Sequence, residues 1–161
     1  MKILAVDIGN TNIVIGVFEK GKLKSHWRIA TRKRGTSDEY SVLLKALISG
    51  ESGGTALPAP SDGVAISCVV PSLSRVLLKA LEPYHNGAEV VIGPGVKTGM
   101  KILTDDPREV GADRIVNAVA AYEKFKEAVI VVDFGTAVTF DYITKQGEYS
   151  GGAIAPGVSI S

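Results

Sequence analysis

Residues that often mark a function are scarce in this chain. Its 161 residues include one cysteine, two histidines and one tryptophan. A single cysteine, Cys68, excludes an internal disulfide framework and points to a reducing compartment. His26 and His85 have no ligand-type partner at metal-binding spacing, which argues against a histidine-based metal centre. Charge of one sign is also lacking: 18 Lys and Arg against 17 Asp and Glu leave a net charge of +1. Nucleic-acid binding normally needs a basic excess, so none is expected. No apolar run exceeds strand length, so no membrane span is expected. The opening apolar run from Met1 ends at Asp7, too short for the core of a signal peptide. Disorder is excluded by 45% hydrophobic residues, enough for a real core.

The pattern along the chain is α/β. Lys2 to Asp7 reads as a strand, Gly9 to Asn12 as a turn, and Ile13 to Phe18 as a second strand. Lys20-Gly21 reads as a hairpin turn and Leu23 to Ile29 as a third strand. Thr36 and Glu39 have capping-box spacing ahead of an apolar helical stripe at Tyr40, Leu43, Leu44, Leu47 and Ile48. Gly50 to Asp62 reads as a loop, Val64 to Val70 as a buried strand, and Pro71 opens a helix. Glu89 to Ile92 is a further short strand. Cys68 and Trp27 read as packing residues, and Arg32-Lys33-Arg34 as a solvated loop. Lys97 and Lys101 receive no role. Ala112 to Lys124 has helical spacing, and Ala128 to Val132 is an apolar strand ending at Asp133. These elements predict a mixed five-stranded sheet flanked by helices.

The pattern then repeats. Asp7-Ile8-Gly9-Asn10-Thr11 is answered by Asp133-Phe134-Gly135-Thr136-Ala137. Gly21 follows Asp7 at the offset at which Gly147 follows Asp133. The β-rich segments 13–18 and 138–143 occupy matching places. A duplicated domain is expected. The stretch from Ala30 to Ile92 has no counterpart in the second copy, so a second domain cut short at Ser161, with an exposed sheet edge, is expected.

Three segments carry chemistry. In Asp7 to Asn12, an acid at a strand end can hold a metal ion or water beside phosphates. Gly9 lets backbone N–H groups approach oxyanions, and Thr11 and the asparagines can donate to phosphate oxygens. The same residues also make a plain turn, but their duplicate at Asp133 to Thr136 favours a pair of phosphate loops. Gly111-Ala112-Asp113-Arg114 opens a helix. Asp113 reads either as a helix-start acid or as a base that orients a hydroxyl whose proton leaves late in a loose phosphoryl-transfer transition state. Arg114 can grip a carboxylate with its fork. Gly151-Gly152-Ala153-Ile154-Ala155-Pro156-Gly157 permits close backbone approach to a ligand, or simply joins a strand to a helix.

These motifs, in this order and with Ile66 to Pro71 and Pro107 to Asn117 around them, resemble the type III pantothenate kinases over essentially the whole chain. The resemblance implies an actin-like fold of duplicated ribonuclease-H-like domains with a cleft between them. The first domain would span 1–110. Residues 111–161 would supply a connecting helix and the start of the second. The implied reaction moves the γ-phosphate of Mg-ATP to the hydroxyl of pantothenate, the first step of coenzyme A synthesis. Asp7, Ile8, Gly9, Asn10, Thr11, Asn12, Ile13 and Val14 would bind ATP, with Asp7 near magnesium, and Thr136 would contact ATP as well. Gly111, Ala112, Asp113 and Arg114 would bind pantothenate, with Asp113 the catalytic proton acceptor. Asp133 would hold a monovalent cation, potassium or ammonium. The implied enzyme is a cytoplasmic homodimer with its pantothenate site near the dimer interface. Family members run beyond Ser161 and keep a further substrate-binding threonine there. The alternatives are another small-molecule kinase of the actin-like superfamily or a non-catalytic accessory protein.

Overall fold

A computed structural model describes residues 1–48, 60–93 and 96–157. The chain forms two compact units, Met1–Val91 and Ile92–Ser161.

In the first unit, β1 (Lys2–Ile8), β2 (Asn12–Glu19) and β3 (Lys22–Ala30) form the expected antiparallel meander. Lys20 and Gly21 both adopt positive φ, which gives the two-residue loop the twist that the strands need. β4 (Ser61–Cys68) pairs parallel to β1, and β5 (His85–Ile92) completes a sheet of order β3-β2-β1-β4-β5. β4 starts earlier than Val64 because Ser61 is buried and its hydroxyl donates to the Tyr84 carbonyl at 2.9 Å. The rest of the loop expected over Gly50–Asp62 lies almost wholly outside the described residues.

Two helices cover one face of this sheet. α1 (Ser37–Ile48) starts on a complete capping box. Glu39 N–H donates to Thr36 Oγ1 at 3.3 Å, and Thr36 N–H donates to Glu39 Oε2 at 2.8 Å. α2 (Pro71–Leu81) starts with Pro71 at a position where no N–H is needed. Alternation sends Leu4, Val6 and Ile8 of β1 and Ile13, Ile15 and Val17 of β2 into the core. There they meet Tyr40, Leu44 and Ile48 of α1 and Leu73, Leu77, Ala80 and Leu81 of α2. Cys68 and Trp27 pack against this core as expected.

The second unit contains β6 (Lys101–Ile102), α3 (Ala112–Phe125), β7 (Val129–Phe134), β8 (Ala137–Ile143) and β9 (Glu148–Pro156). Its sheet runs β6-β9-β8-β7, and β7-β8-β9 repeats the meander. β6 was not legible: two residues carry no periodicity. It pairs with Glu148 and Tyr149, and Met100, Ile102 and Val110 join the core beneath α3. The division between the two units falls after Val91, and Met100, Ile102 and Val110 pack with the second.

The repeat extends to side-chain register. Leu4, Val6 and Ile8 oppose Val17, Ile15 and Ile13, as Ile130, Val132 and Phe134 oppose Tyr142, Phe140 and Val138. The first set is buried under α1 and α2. In the second set Ile130, Val132, Phe134, Phe140 and Tyr142 are exposed. Among the described residues the second unit has no counterpart of α1, β4 and α2 after its third strand. It therefore exposes most of an apolar face as well as a sheet edge.

The two loops that match in sequence differ in build. The turn and second strand together (9–19) are two residues longer than their counterparts (135–143), and the following hairpin loop (20–21) is two residues shorter than its counterpart (144–147). The second hairpin closes with Gly147 N–H donating to the Thr144 carbonyl at 3.0 Å, with Gly147 at φ 77°. The two differences cancel, which is why the glycine offsets agree.

Candidate active site

The first loop is a closed turn. Gly9 N–H donates to the Asn12 carbonyl at 3.0 Å. Thr31, just past the end of β3, then clamps the loop: its Oγ1 donates to the Gly9 carbonyl at 2.7 Å, and its N–H to the Thr11 carbonyl at 2.9 Å. Lys33 Nζ donates to Asn10 Oδ1 at 3.1 Å. The Arg32–Arg34 run is a solvated loop as expected, and within it exposed Lys33 brings positive charge onto the turn. Asp7, Asn10 and Thr11 are exposed here, while Ile8 and Ile13 are buried core and Val14 is half-buried. Of the nine residues expected to bind ATP, the buried Ile8 and Ile13 can contribute backbone only.

In the second unit α3 lies on β7 and β8. Helical spacing places Asp113 and Asn117 one turn apart, with Arg114 beside them. Arg114 N–H donates to Asp113 Oδ1 at 2.8 Å. Asn117 Nδ2 donates to Asp133 Oδ2 at 3.0 Å. Arg114 Nε donates to Asp141 Oδ1 at 2.8 Å, with Nη2 2.6 Å from the same oxygen. Tyr149 Oη also donates to Asp141 Oδ1, and Thr139 Oγ1 to Oδ2 at 3.4 Å. Burial pushes the Tyr149 phenol well above its ordinary range, reinforced by the Asp141 carboxylate, while Arg114 opposes the shift.

The glycine-rich segment fits tightly around these groups. A Cβ on Gly152 would run into the Phe140 carbonyl, Arg114 Nη2 and Asp141 Oδ1. A Cβ on Gly157 would strike the carbonyls of Gly135 and Thr136. Here the close backbone approach expected of Gly151–Gly157 is to the protein's own ion pair and to the turn at Gly135 and Thr136.

One unit therefore brings together Asp113, Arg114, Asp133 and the turn at Thr136, with Asp7 to Val14 in the other. Thr31, Asn117, Asp141 and Tyr149 were missed. Asp141 alone carried a signal, as a lone acid within the apolar strand 138–143. Lys101 instead pairs with Glu148 at 3.2 Å. His26 is exposed, and His85 lies 3.4 Å from Glu89. Among the described residues no group of three or more His, Cys, Asp or Glu gathers, and no helix is long and apolar enough to cross a membrane. Asp7 and Asp133 are exposed carboxylates at strand ends. One carboxylate is enough to fit magnesium, which keeps several waters and takes its remaining ligands from phosphates.

The family profile described as type III pantothenate kinase matches residues 3–161. A type III pantothenate kinase of Myxococcus xanthus is 54% identical over 159 residues, covering 99% of this chain and 61% of the relative. That of Geobacter sulfurreducens is 52% identical with the same coverage. The chain thus spans about three-fifths of the length of these relatives. Among solved structures, the ethanolamine utilization protein EutJ of Carboxydothermus hydrogenoformans superimposes with a TM-score of 0.56 at 15% identity, covering 98% of this chain and 52% of that one. The activator of 2-hydroxyisocaproyl-CoA dehydratase from Clostridium difficile, solved with ADPNP, gives 0.51 at 12% identity, covering 97% and 46%. The fold is α/β and actin-like, a duplicated ribonuclease-H-like sheet with flanking helices, and by its sequence the chain belongs to the type III pantothenate kinase family.

Proposed function

We propose that this chain supplies the phosphate loop and the pantothenate-binding helix of an ATP-dependent pantothenate kinase. Beyond family membership, the observation that supports it best is on the first turn of α3. There a carboxylate, Asp113, stands next to a guanidinium, Arg114, that is fixed from behind by Asp141. A substrate with an acid at one end and a hydroxyl at the other needs that combination.

Each group has a distinct part in the transfer. The backbone of the Gly9–Asn12 turn, Thr11 and Lys33 bind phosphate oxygens, and Thr136 contacts the nucleotide from the other loop. Arg114, with Gly111 and Ala112, holds the pantothenate carboxylate. The pantothenate hydroxyl oxygen bonds to the γ-phosphorus as the bond to the β,γ-bridging oxygen breaks. The hydroxyl proton passes to Asp113 Oδ2, since Oδ1 already accepts from Arg114 N–H. Asp7 would hold magnesium, which neutralises phosphate charge when bound, and Asp133 a potassium or ammonium ion. A cytoplasmic homodimer completes the reading.

The test is ATP-dependent formation of phosphopantothenate, with and without potassium, by this chain and by the chain extended to its relatives' length. Turnover by the extended chain carries the proposal. A folded extended chain that phosphorylates a sugar in preference to pantothenate would replace it with another small-molecule kinase. Function retained in cells after Asp113→Asn would favour a non-catalytic role.

A further inference from the structure

Asp141 is the one carboxylate among the fully buried described residues. A buried carboxylate is tolerated only when its charge and lone pairs are met. Arg114, Tyr149 and Thr139 meet them, but unevenly. Arg114 Nε, Arg114 Nη2 and Tyr149 Oη all converge on Oδ1, while Oδ2 receives only the long contact from Thr139. A structural arginine–carboxylate pair would normally set two donors on two oxygens. Here one oxygen holds one edge of the guanidinium. Nη2 is buried, makes no hydrogen bond of good geometry among the described residues, and is backed by Gly152. The Nη1 edge is not taken up by Asp141. Arg114 thus has a fixed position and unspent donors.

We propose that Asp141, backed by Tyr149, is a positioning residue that aims Arg114 at the carboxylate of the substrate. The proposal rests on the pantothenate reading and deepens it, because it assigns recognition of the acid end to a buried Tyr149–Asp141–Arg114 relay. Asp141 touches no substrate. Its charge fixes the guanidinium edge, so its removal leaves Arg114 present but unaimed. A neutral substrate analogue does not need that aim.

The test compares pantothenate with pantothenyl alcohol, which carries a hydroxymethyl group in place of the carboxylate, in the chain extended to its relatives' length. The wild-type protein should favour pantothenate by about tenfold or more in kcat/KM. Asp141→Asn should remove most of that preference by raising the pantothenate KM, with kcat changed by less than about threefold. Tyr149→Phe, which keeps the packing, should lose part of the preference in the same sense, and it decides the matter if Asp141→Asn fails to fold. Equal losses on both substrates, or a preference retained in these variants but lost in Arg114→Lys, overturn the proposal. If the wild-type protein phosphorylates neither compound, the pantothenate reading falls. Positioning is then judged from hydrogen exchange at Arg114 Nε by nitrogen-15 NMR. Slow exchange that becomes fast in Asp141→Asn and Tyr149→Phe sustains it, and unchanged exchange sinks it.

Discussion

Asn117 Nδ2 donates to Asp133 Oδ2 at 3.0 Å, which ties the second turn of α3 to the carboxyl end of β7. The bond orients a strand-end carboxylate that would otherwise rotate freely. If Asp133 holds the monovalent cation, Asn117 stands behind it as its supporting contact. Removing such a partner commonly weakens ion binding by about tenfold or more. Asn117→Ala should therefore raise the potassium concentration for half-maximal activity of the extended enzyme by about tenfold. Thermal stability should change by about 1 kcal/mol or less, since the pair is exposed. A potassium titration checks this; an unchanged midpoint separates Asn117 from cation binding.

The clamp just past β3 gives a second prediction. Thr31 closes on both the Gly9 and Thr11 carbonyls, and only the first bond uses its side chain. Thr31→Val keeps the shape and the backbone bond but leaves the Gly9 carbonyl short of a donor. A cost of about 1 kcal/mol is expected, with the ATP KM rising more than the pantothenate KM. Thr31→Ser should restore both. A rise confined to pantothenate would rule out a phosphate-loop role for Thr31.

How far the sequence revealed all this depended on the range of each signal. Helices and strands with their own periodicity were readable to within a few residues, as was the Thr36–Glu39 box, because both are local. Duplication revealed the second turn, since Asp133-Phe134-Gly135 repeats Asp7-Ile8-Gly9. Contacts made across the fold were not readable. Thr31 meets Gly9 only because β2 and β3 fold back, and Asp141 meets Arg114 only because α3 lies on β8. β6 exists only through its pairing with β9. Lys33 is solvated charge, as its basic run suggested, but nothing in such a run says that its amine meets Asn10.

Acid dependence comes from the capping box. Hydrogen bonds from Thr36 N–H and hydroxyl hold the Glu39 carboxyl below its ordinary range, with a smaller contribution from Arg32. A folded-state pKa below the unfolded value adds stability above the unfolded value, near 4.5, and loses it as pH falls through the folded one. Glu39→Gln should therefore lower the melting temperature at pH 7 and matter less at pH 3. Thr36→Ala, which also removes the cap, should cost about 1 kcal/mol at neutral pH. Melting curves at the two pH values check the sign. A Glu39→Gln penalty that grows at pH 3 contradicts the box as the cause.

The alkaline limb runs the other way. Burial and the Asp141 charge raise the Tyr149 phenol above its ordinary value of 10.0. The folded state keeps that proton after the unfolded chain has lost it, so stability is full below about pH 10 and falls above it. One such group contributes at most about 1.4 kcal/mol per pH unit. Tyr84, raised by burial alone, adds to the slope. Tyr149→Phe should make the loss of stability between pH 10 and pH 11 less steep, although the variant is the less stable protein at pH 7. Denaturant melts across that range measure it, and an unchanged slope would mean that Tyr149 ionises equally well in the folded protein.

The repeated sheet makes the last prediction, and here one substitution has opposite signs in two proteins. Leu4 and Val6 are 0% and 3% exposed beneath α1 and α2; their register equivalents Ile130 and Val132 are 63% and 42% exposed. An apolar face of this kind attracts dyes and other copies of the chain. The 161-residue chain should bind a hydrophobic dye and self-associate, and Ile130→Thr with Val132→Thr should reduce both. In the chain extended to its relatives' length, helices like α1 and α2 would cover the face. There the same pair should cost about 1–3 kcal/mol per site by putting hydroxyls into a core. Dye fluorescence and sedimentation on the short chain, set beside melts of the extended one, give both signs. If the extended chain tolerates the two threonines without loss, its added residues leave this face open and the second sheet is not completed on the plan of the first.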